Sequence, residues 1–294
     1  MQLFDIRGEK TLGNMTKILI AVALVAAVCV GGGLIVLSNE KDTNISVVGS
    51  TTVQPLMVSF QEEYEKHHNV TLNVSGGGSG AAAPAVRNGT ADIGMLSRNP
   101  NAGEADLKHI VIAGDAVVIV VNKSANIANL TLEQVAKIYS GEYTNWNQVG
   151  GGAGPIHPII REDGSGTREC LDTIMKTVHG FSDSKYRSYP SQASTNSMLS
   201  QVKNVSGAIG YINLGAVTTM DKDTRAAVSI VSIGGVAPSA ATVTDGTYKI
   251  SRNLVLITDG DPVGEVKAFL DWIKSPRGQR IVEKEGFVPI GPTA

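Results

Sequence analysis

The run IIREDGSGTREC, residues 159–170, decides how the rest of the chain is read. It opens on an extended apolar pair, passes through Arg161, and turns at DGSGT, residues 163–167. A segment over 167–179 follows, with Leu171, Ile174, Met175 and Val178 on one side and Gly180 as its stop, the pattern of an amphipathic helix. A strand feeding a small-residue turn that opens a helix has a defined chemistry. The first N–H groups of a helix lack intrahelical acceptors and carry a partial positive charge, so the junction accepts an anion. Gly admits close approach of backbone to ligand, Ser and Thr add neutral donors, and Arg161 adds a charged fork.

The same junction occurs twice more. GSTT at 49–52 precedes an apolar helical face formed by Val53, Leu56, Met57, Phe60 and Tyr64, and GGGSG at 76–80 precedes a short helix over 81–87. Any one of these is also an ordinary N-cap or turn. Three converging on one point would cage a small tetrahedral oxyanion, a convergence that periodicity does not reveal.

Working outward, residues 45–48 and 70–74 read as strands, 91–94 as a brief one, and 117–121 as an apolar run of the kind buried on both faces of a sheet. Residues 132–139 read as helix and 156–161 as extended. Strands are expected at 208–212 and 254–258, and helices at 263–274 and 278–284. Strands alternating with helices predict an α/β architecture with largely parallel sheets.

The strings VGSTTVQPL, SGGGSGAAAPAVRNGTADIGMLSR, IYSGEYTNWNQVGG, IIREDGSGTREC, SGAIGYINLG and FLDWIKSPRGQRIVEKEGFVPI resemble, in order over residues 45–290, the exported phosphate-binding proteins of Pst-type ABC importers. The resemblance implies a two-lobed type II periplasmic-binding-protein fold that holds inorganic phosphate in an interlobe cleft and delivers it to ABC permease subunits, with no bond chemistry. It places lobe 1 at 45–116 plus 248–294 and lobe 2 at 117–247, with crossings near 114–117 and 248–252. Matched residue by residue, it makes Ser50, Thr51, Thr52, Ser79, Arg161, Ser165, Gly166 and Thr167 the phosphate-binding set, and Asp163 the carboxylate that holds Arg161.

One position departs from the family pattern. Where many members carry an Asp that accepts a proton from the bound anion, this chain has Ser97-Arg98-Asn99. A carboxylate in a dry site favours protonated phosphate over sulfate, because it can only accept. Asp115 or Asp92 is therefore a candidate substitute, and Arg98 either touches the anion or pairs with a nearby acid. The same fold binding sulfate, or a tethered sensor that does not deliver its ligand, are the alternative readings.

At the N-terminus, residues 18–37 (ILIAVALVAAVCVGGGLIVL) carry no charge and are long enough to span a membrane. Lys10 and Lys17 precede this run, which predicts residues 1–17 in the cytoplasm, a linker at 38–44, and everything beyond outside the cell membrane. A signal anchor, a cleaved signal peptide and a lipoprotein at Cys29 are the three forms considered; all export the domain. N-x-S/T triplets at Asn44, Asn69, Asn73, Asn88, Asn129 and Asn204 lie beyond the run and would suit glycosylation there.

The 294 residues suit one large or two medium domains. Lys+Arg number 25 against 27 Asp+Glu, a net charge of −2, which gives no electrostatic footprint for nucleic acid. Two cysteines exclude a disulfide framework and a zinc cluster. No G-x-S-x-G elbow or P-loop Lys-Ser/Thr occurs, so neither a serine hydrolase nor a nucleotide hydrolase is indicated. No cofactor or metal is expected; His67 and His68 are read as helix-end cations, Cys170 as a small buried hydrophobe, and Trp146 and Trp272 as packing residues.

Overall fold

A computed structural model describes residues 43–180 and 186–293. The predicted apolar span and the chain before it lie outside these residues. Parallel strands β1 (Thr43–Gly49), β2 (Val70–Gly76) and β3 (Ile93–Leu96) form one half of the main sheet. β1 starts two residues inside the predicted linker. Between these strands run α1 (Gln54–Tyr64) and α2 (Ala82–Arg87), the latter entered through a 3-10 turn at Ser79–Ala81. α1 buries Leu56, Met57, Phe60 and Tyr64, the predicted face.

The sheet is mixed rather than largely parallel. β4 (Lys108–Asn122) is a single strand of 15 residues, and β12 (Ser251–Thr258) returns antiparallel along its first half. β9 (Ala208–Asn213) lies antiparallel to its second half. The strand order is β2-β1-β3-β12-β4-β9-β6, with β6 at His157–Pro158. The physical reason is topological: a chain that leaves one lobe along β4 and comes back along β12 must run its two connecting strands in opposite directions.

Two large hydrophobic cores flank that long strand. One gathers Ile45, Val47, Phe60, Ile93, Ile112 and Leu254 with Phe269 and Ile273 of a C-terminal helix at Gly264–Lys274. The other gathers Val117 to Val121, Ile138, Trp146, Leu171, Met198, Tyr211 and Ile250. The run 117–121 is fully buried, as its unbroken apolar sequence requires. Trp146 is buried and donates from its indole N–H to the Gly207 carbonyl at 3.0 Å; Trp272 packs on Phe60, Tyr64 and Phe269.

In the second core's lobe, α3 (Leu132–Ser140) starts on a Thr131/Gln134 capping box. β7 (Ile160–Arg161) then delivers the chain into α4 (Gly166–His179), which ends at Gly180 in the left-handed conformation as predicted. Sequence reading missed α5 (Thr195–Asn204). Its signal was present: a Ser194/Ser197 capping box followed by Met198 and Val202 four residues apart on the buried face.

Candidate functional site

The three small-residue turns do converge. Ser165 caps α4 by accepting the Arg168 N–H at 3.4 Å, which leaves the N–H groups of Gly166 and Thr167, the first in the helix, without intrahelical acceptors. From the other lobe, the Thr52 and Thr167 hydroxyls meet at 3.1 Å, and the Arg161 Nη2 donates to Thr51 Oγ1 at 2.9 Å. Gly80 N–H donates to the Gly164 carbonyl at 2.9 Å, so the second and third turns touch backbone to backbone. A side chain at Gly166 would stand 2.4 Å from Ser79 Oγ and 2.8 Å from Ser97 Oγ. Glycine at that point is what allows the two serines to reach the helix end.

Each predicted site residue has a definable place here. Ser50 Oγ accepts from the Thr52 and Val53 N–H groups, at 3.1 and 3.3 Å, so it shapes the first turn and keeps its own O–H to give. Ser79 Oγ accepts the Ser97 N–H at 3.0 Å and lies 3.3 Å from Ser97 Oγ. Ser50, Thr52, Ser79, Ser97, Arg161, Ser165 and Thr167 are all buried. A cavity of about 60 Å³ adjoins this cluster, lined by Thr51, Thr52, Thr195 and Asn213 among others. Larger cavities of about 370 and 320 Å³ lie along β12, where Arg252 lines both; the second is also lined by Arg98 and Glu169.

Arg161, 1% exposed, is held by a carboxylate, but not the predicted one. Glu162 takes its Nε at 2.7 Å and Nη2 at 2.8 Å, while Nε also reaches the Gln192 carbonyl at 3.1 Å and Nη1 the Thr195 hydroxyl at 3.4 Å. Asp163 instead accepts from Arg168 Nη1 at 2.6 Å and points outward. β7 ends at Arg161, so the chain turns there and brings Glu162, rather than the Asp163 that the resemblance implies, round to the guanidinium. Tyr211 fixes the backbone by accepting the Arg161 N–H at 2.9 Å. Thr195, at the start of the unpredicted α5, is the hydroxyl that sequence reading omitted.

The candidate proton acceptors are placed elsewhere. Asp115 is fully buried and takes Arg252 Nε and Nη2 at 2.9 and 2.8 Å, together with the Leu214 N–H at 3.0 Å. Burial pushes its carboxyl up, opposed by the adjacent guanidinium. It is a clamp across β4 and β12, which pair at Arg252 and Asp115, and not part of the anion cluster. Asp92 is exposed and accepts from the Ser46 N–H and hydroxyl, both at 2.7 Å.

Arg98 is committed to acids. Glu104 takes Nη1 and Nη2, both at 2.7 Å, and Glu169, in the first turn of α4, pairs with Nε. That last pair joins the two lobes beside Ser97. Burial raises the Glu169 carboxyl, opposed by Arg98. Cys170 packs against the second core, and burial raises its thiol, contrary to what a reactive cysteine needs. Among the described residues, no cluster of His, Cys, Asp and Glu is arranged to hold a metal.

Comparison with known proteins agrees with this geometry. The PBP superfamily domain matches residues 37–277. The phosphate-binding protein PstS of Bacillus subtilis is 30% identical over 284 residues, covering 92% of this chain and 91% of that protein. PstS of Borreliella burgdorferi is 29% identical over 261 residues, covering 86% and 92%. Among solved structures, a phosphate ABC transporter substrate-binding protein of Clostridium perfringens with bound phosphate superposes with a TM-score of 0.77 at 32% identity, over 84% of this chain and all of that one. An ABC-type phosphate transport receptor of Vibrio cholerae gives 0.68 at 30% identity, over 83% and 99%. The chain therefore belongs to the PBP superfamily and, within it, to the family of the PstS phosphate-binding proteins.

Proposed function

We infer that this protein is an exported receptor that captures inorganic phosphate between its lobes and hands it to an ABC importer. The observation that carries the reading is the meeting of Thr51 and Thr52 from one lobe with Arg161 and Thr167 from the other, at 2.9 and 3.1 Å, at the open N-terminus of α4. Lobe 1 is taken as 45–116 plus 248–294 and lobe 2 as 117–247. Closure strips water from the anion and replaces it with fixed dipoles: the hydroxyls of Ser50, Thr51, Thr52, Ser79 and Thr167 and the N–H groups of Gly166 and Thr167. Arg161 supplies the positive charge. Ligand drives closure by binding the closed form more tightly than the open one. The work is binding and release, with no covalent step.

Glu162 is the carboxylate at Arg161 in this arrangement, and it holds the guanidinium in place for the anion. The apolar run at 18–37 tethers or targets the receptor to the outer face of the cell membrane. Titration of Arg161→Ala with phosphate tests the site: loss of binding with an unchanged circular dichroism spectrum supports it, and wild-type affinity removes Arg161 from it. Loss of phosphate uptake in cells lacking this gene tests delivery; unchanged uptake would favour the sensor.

A further inference from the structure

We propose that the ends of the two lobes that face away from the cleft carry asparagine-linked glycans, at Asn44, Asn69 and Asn88 on the first and at Asn204 on the second. This rests on the reading that the domain is exported, and it concerns a surface that phosphate capture does not use.

In this fold the ends of the parallel strands and the starts of the helices face the cleft, so strand starts and helix ends face away. Asn44 stands near the start of β1, five residues before the cleft residue Gly49, about 16 Å at 3.3 Å per residue. Asn69 immediately precedes β2, whose far end is Gly76 beside the second anion turn. Asn88 caps the C-terminus of α2, and Asn204 ends α5, nine residues beyond Thr195, which meets Arg161. All four are exposed, as are Asn73 on the edge strand β2 and Asn129 on β5 (Asn129–Leu130).

Exposure alone does not distinguish them, because other asparagines are exposed too. Position does. Asn196 and Asn213 line the cavity beside Thr51 and Thr52, and Asn99 and Asn253 line the larger one along β12. None of these four has Ser or Thr two residues on; the triplets are Asn-Ser-Met, Asn-Leu-Gly, Asn-Pro-Asn and Asn-Leu-Val. Acceptor triplets are thus missing at these cavity-lining asparagines, where a bulky sugar would obstruct the closing lobes. Two further triplets occur: Asn14-Met15-Thr16 precedes the apolar run and is outside the described residues, and Asn122-Lys123-Ser124 ends β4, half-buried, with its Nδ2 donating to the Val202 and Lys203 carbonyls, both at 3.0 Å, and so not offered for transfer.

Asn88 shows the geometry most fully. Its side-chain carbonyl accepts both the Thr90 hydroxyl at 2.7 Å and the Thr90 N–H at 3.0 Å. That commits the carbonyl to Thr90; the residue is exposed, and nothing lies within 4 Å of a side-chain carbon added at the neighbouring Gly89. In the transfer, Nδ2 bonds to the anomeric carbon of a sugar carried on a polyprenyl phosphate or diphosphate. The anomeric C–O bond breaks with its electron pair going to the carrier phosphate, and one amide proton is released.

The test is peptide mass mapping of the full chain isolated from the cells that make it, before and after anhydrous acid deglycosylation. Peptides containing Asn44, Asn69, Asn88 and Asn204 should each be heavier by a glycan and return to sequence mass on treatment. Thr90→Val, which keeps the acceptor, should lose the glycan at Asn88 alone. Sequence-mass peptides at all four sites before treatment would overturn the proposal, as would a glycan on Asn88 that survives Thr90→Val. Phosphate titration of the same preparation is independent: glycosylated protein that ignores phosphate would count against the receptor reading and leave this one standing.

Discussion

Two buried arginines border the same cleft and end with opposite roles. Arg98 places all three guanidinium nitrogens on carboxylates, two on Glu104 and one on Glu169. Arg161 meets one carboxylate, Glu162, and turns its remaining N–H groups to the neutral hydroxyls of Thr51 and Thr195. A hydroxyl yields to an incoming anion because it can rotate and donate to it; a carboxylate repels it. The difference teaches that an arginine becomes an anion ligand through the donors its acids leave over. Arg252 extends the series: Asp115 holds it at the crossing strands, where it braces the two lobes.

The contrast can be broken most severely at that brace. Asp115→Ala leaves a buried guanidinium unpaired and should cost about 3–5 kcal/mol of stability in denaturant unfolding, with phosphate affinity little changed. A collapse of affinity in protein that remains folded would put Asp115 back in the site. Arg161→Ala should weaken phosphate binding by about 2–5 kcal/mol with a normal melting temperature. The two variants thus separate brace from ligand.

A third test uses pH. Burial holds the Asp172 carboxyl at about 6, above its ordinary 3.8. A group that binds its proton more tightly when folded stabilises the fold at low pH, so this contribution is full below about 3.8 and declines as pH rises to about 6. Asp172→Asn should flatten that segment of the stability curve and raise stability above pH 6 by on the order of 2 kcal/mol. An unchanged slope would show that another group titrates there. The smallest effect belongs to Glu169→Gln. Its side chain is 40% exposed, so the interlobe pair with Arg98 is worth about 1 kcal/mol or less, and phosphate affinity should fall by less than tenfold. A hundredfold loss would make that pair a principal latch.

What the sequence disclosed follows from how local each feature is. The helix 167–179 and its Gly180 stop, the burial of 117–121 and the small-residue turns were legible because neighbouring residues produce them. Their convergence was legible through family resemblance, since contacts such as Thr52 with Thr167 span 115 positions. Asp163 was expected beside Arg161 from the family resemblance alone, and the turn that follows the end of β7 brings Glu162 there instead. Asp115 looked available as an acceptor because nothing near it in sequence shows that Arg252 lies across from it. The mixed sheet was hidden for the same reason: strand direction depends on which distant strand pairs with β4.

The central claim is that the cleft closes on phosphate through Arg161 and the helix-end donors. Calorimetric titration of residues 40–294, stripped of co-purified anion, tests it most directly, with phosphate and then sulfate near neutral pH. The account predicts saturable heat at one site per chain for phosphate and none for sulfate at the same concentrations. Sulfate binding as tight as phosphate would contradict the choice of phosphate as the ligand, and silence toward both would contradict the claim itself.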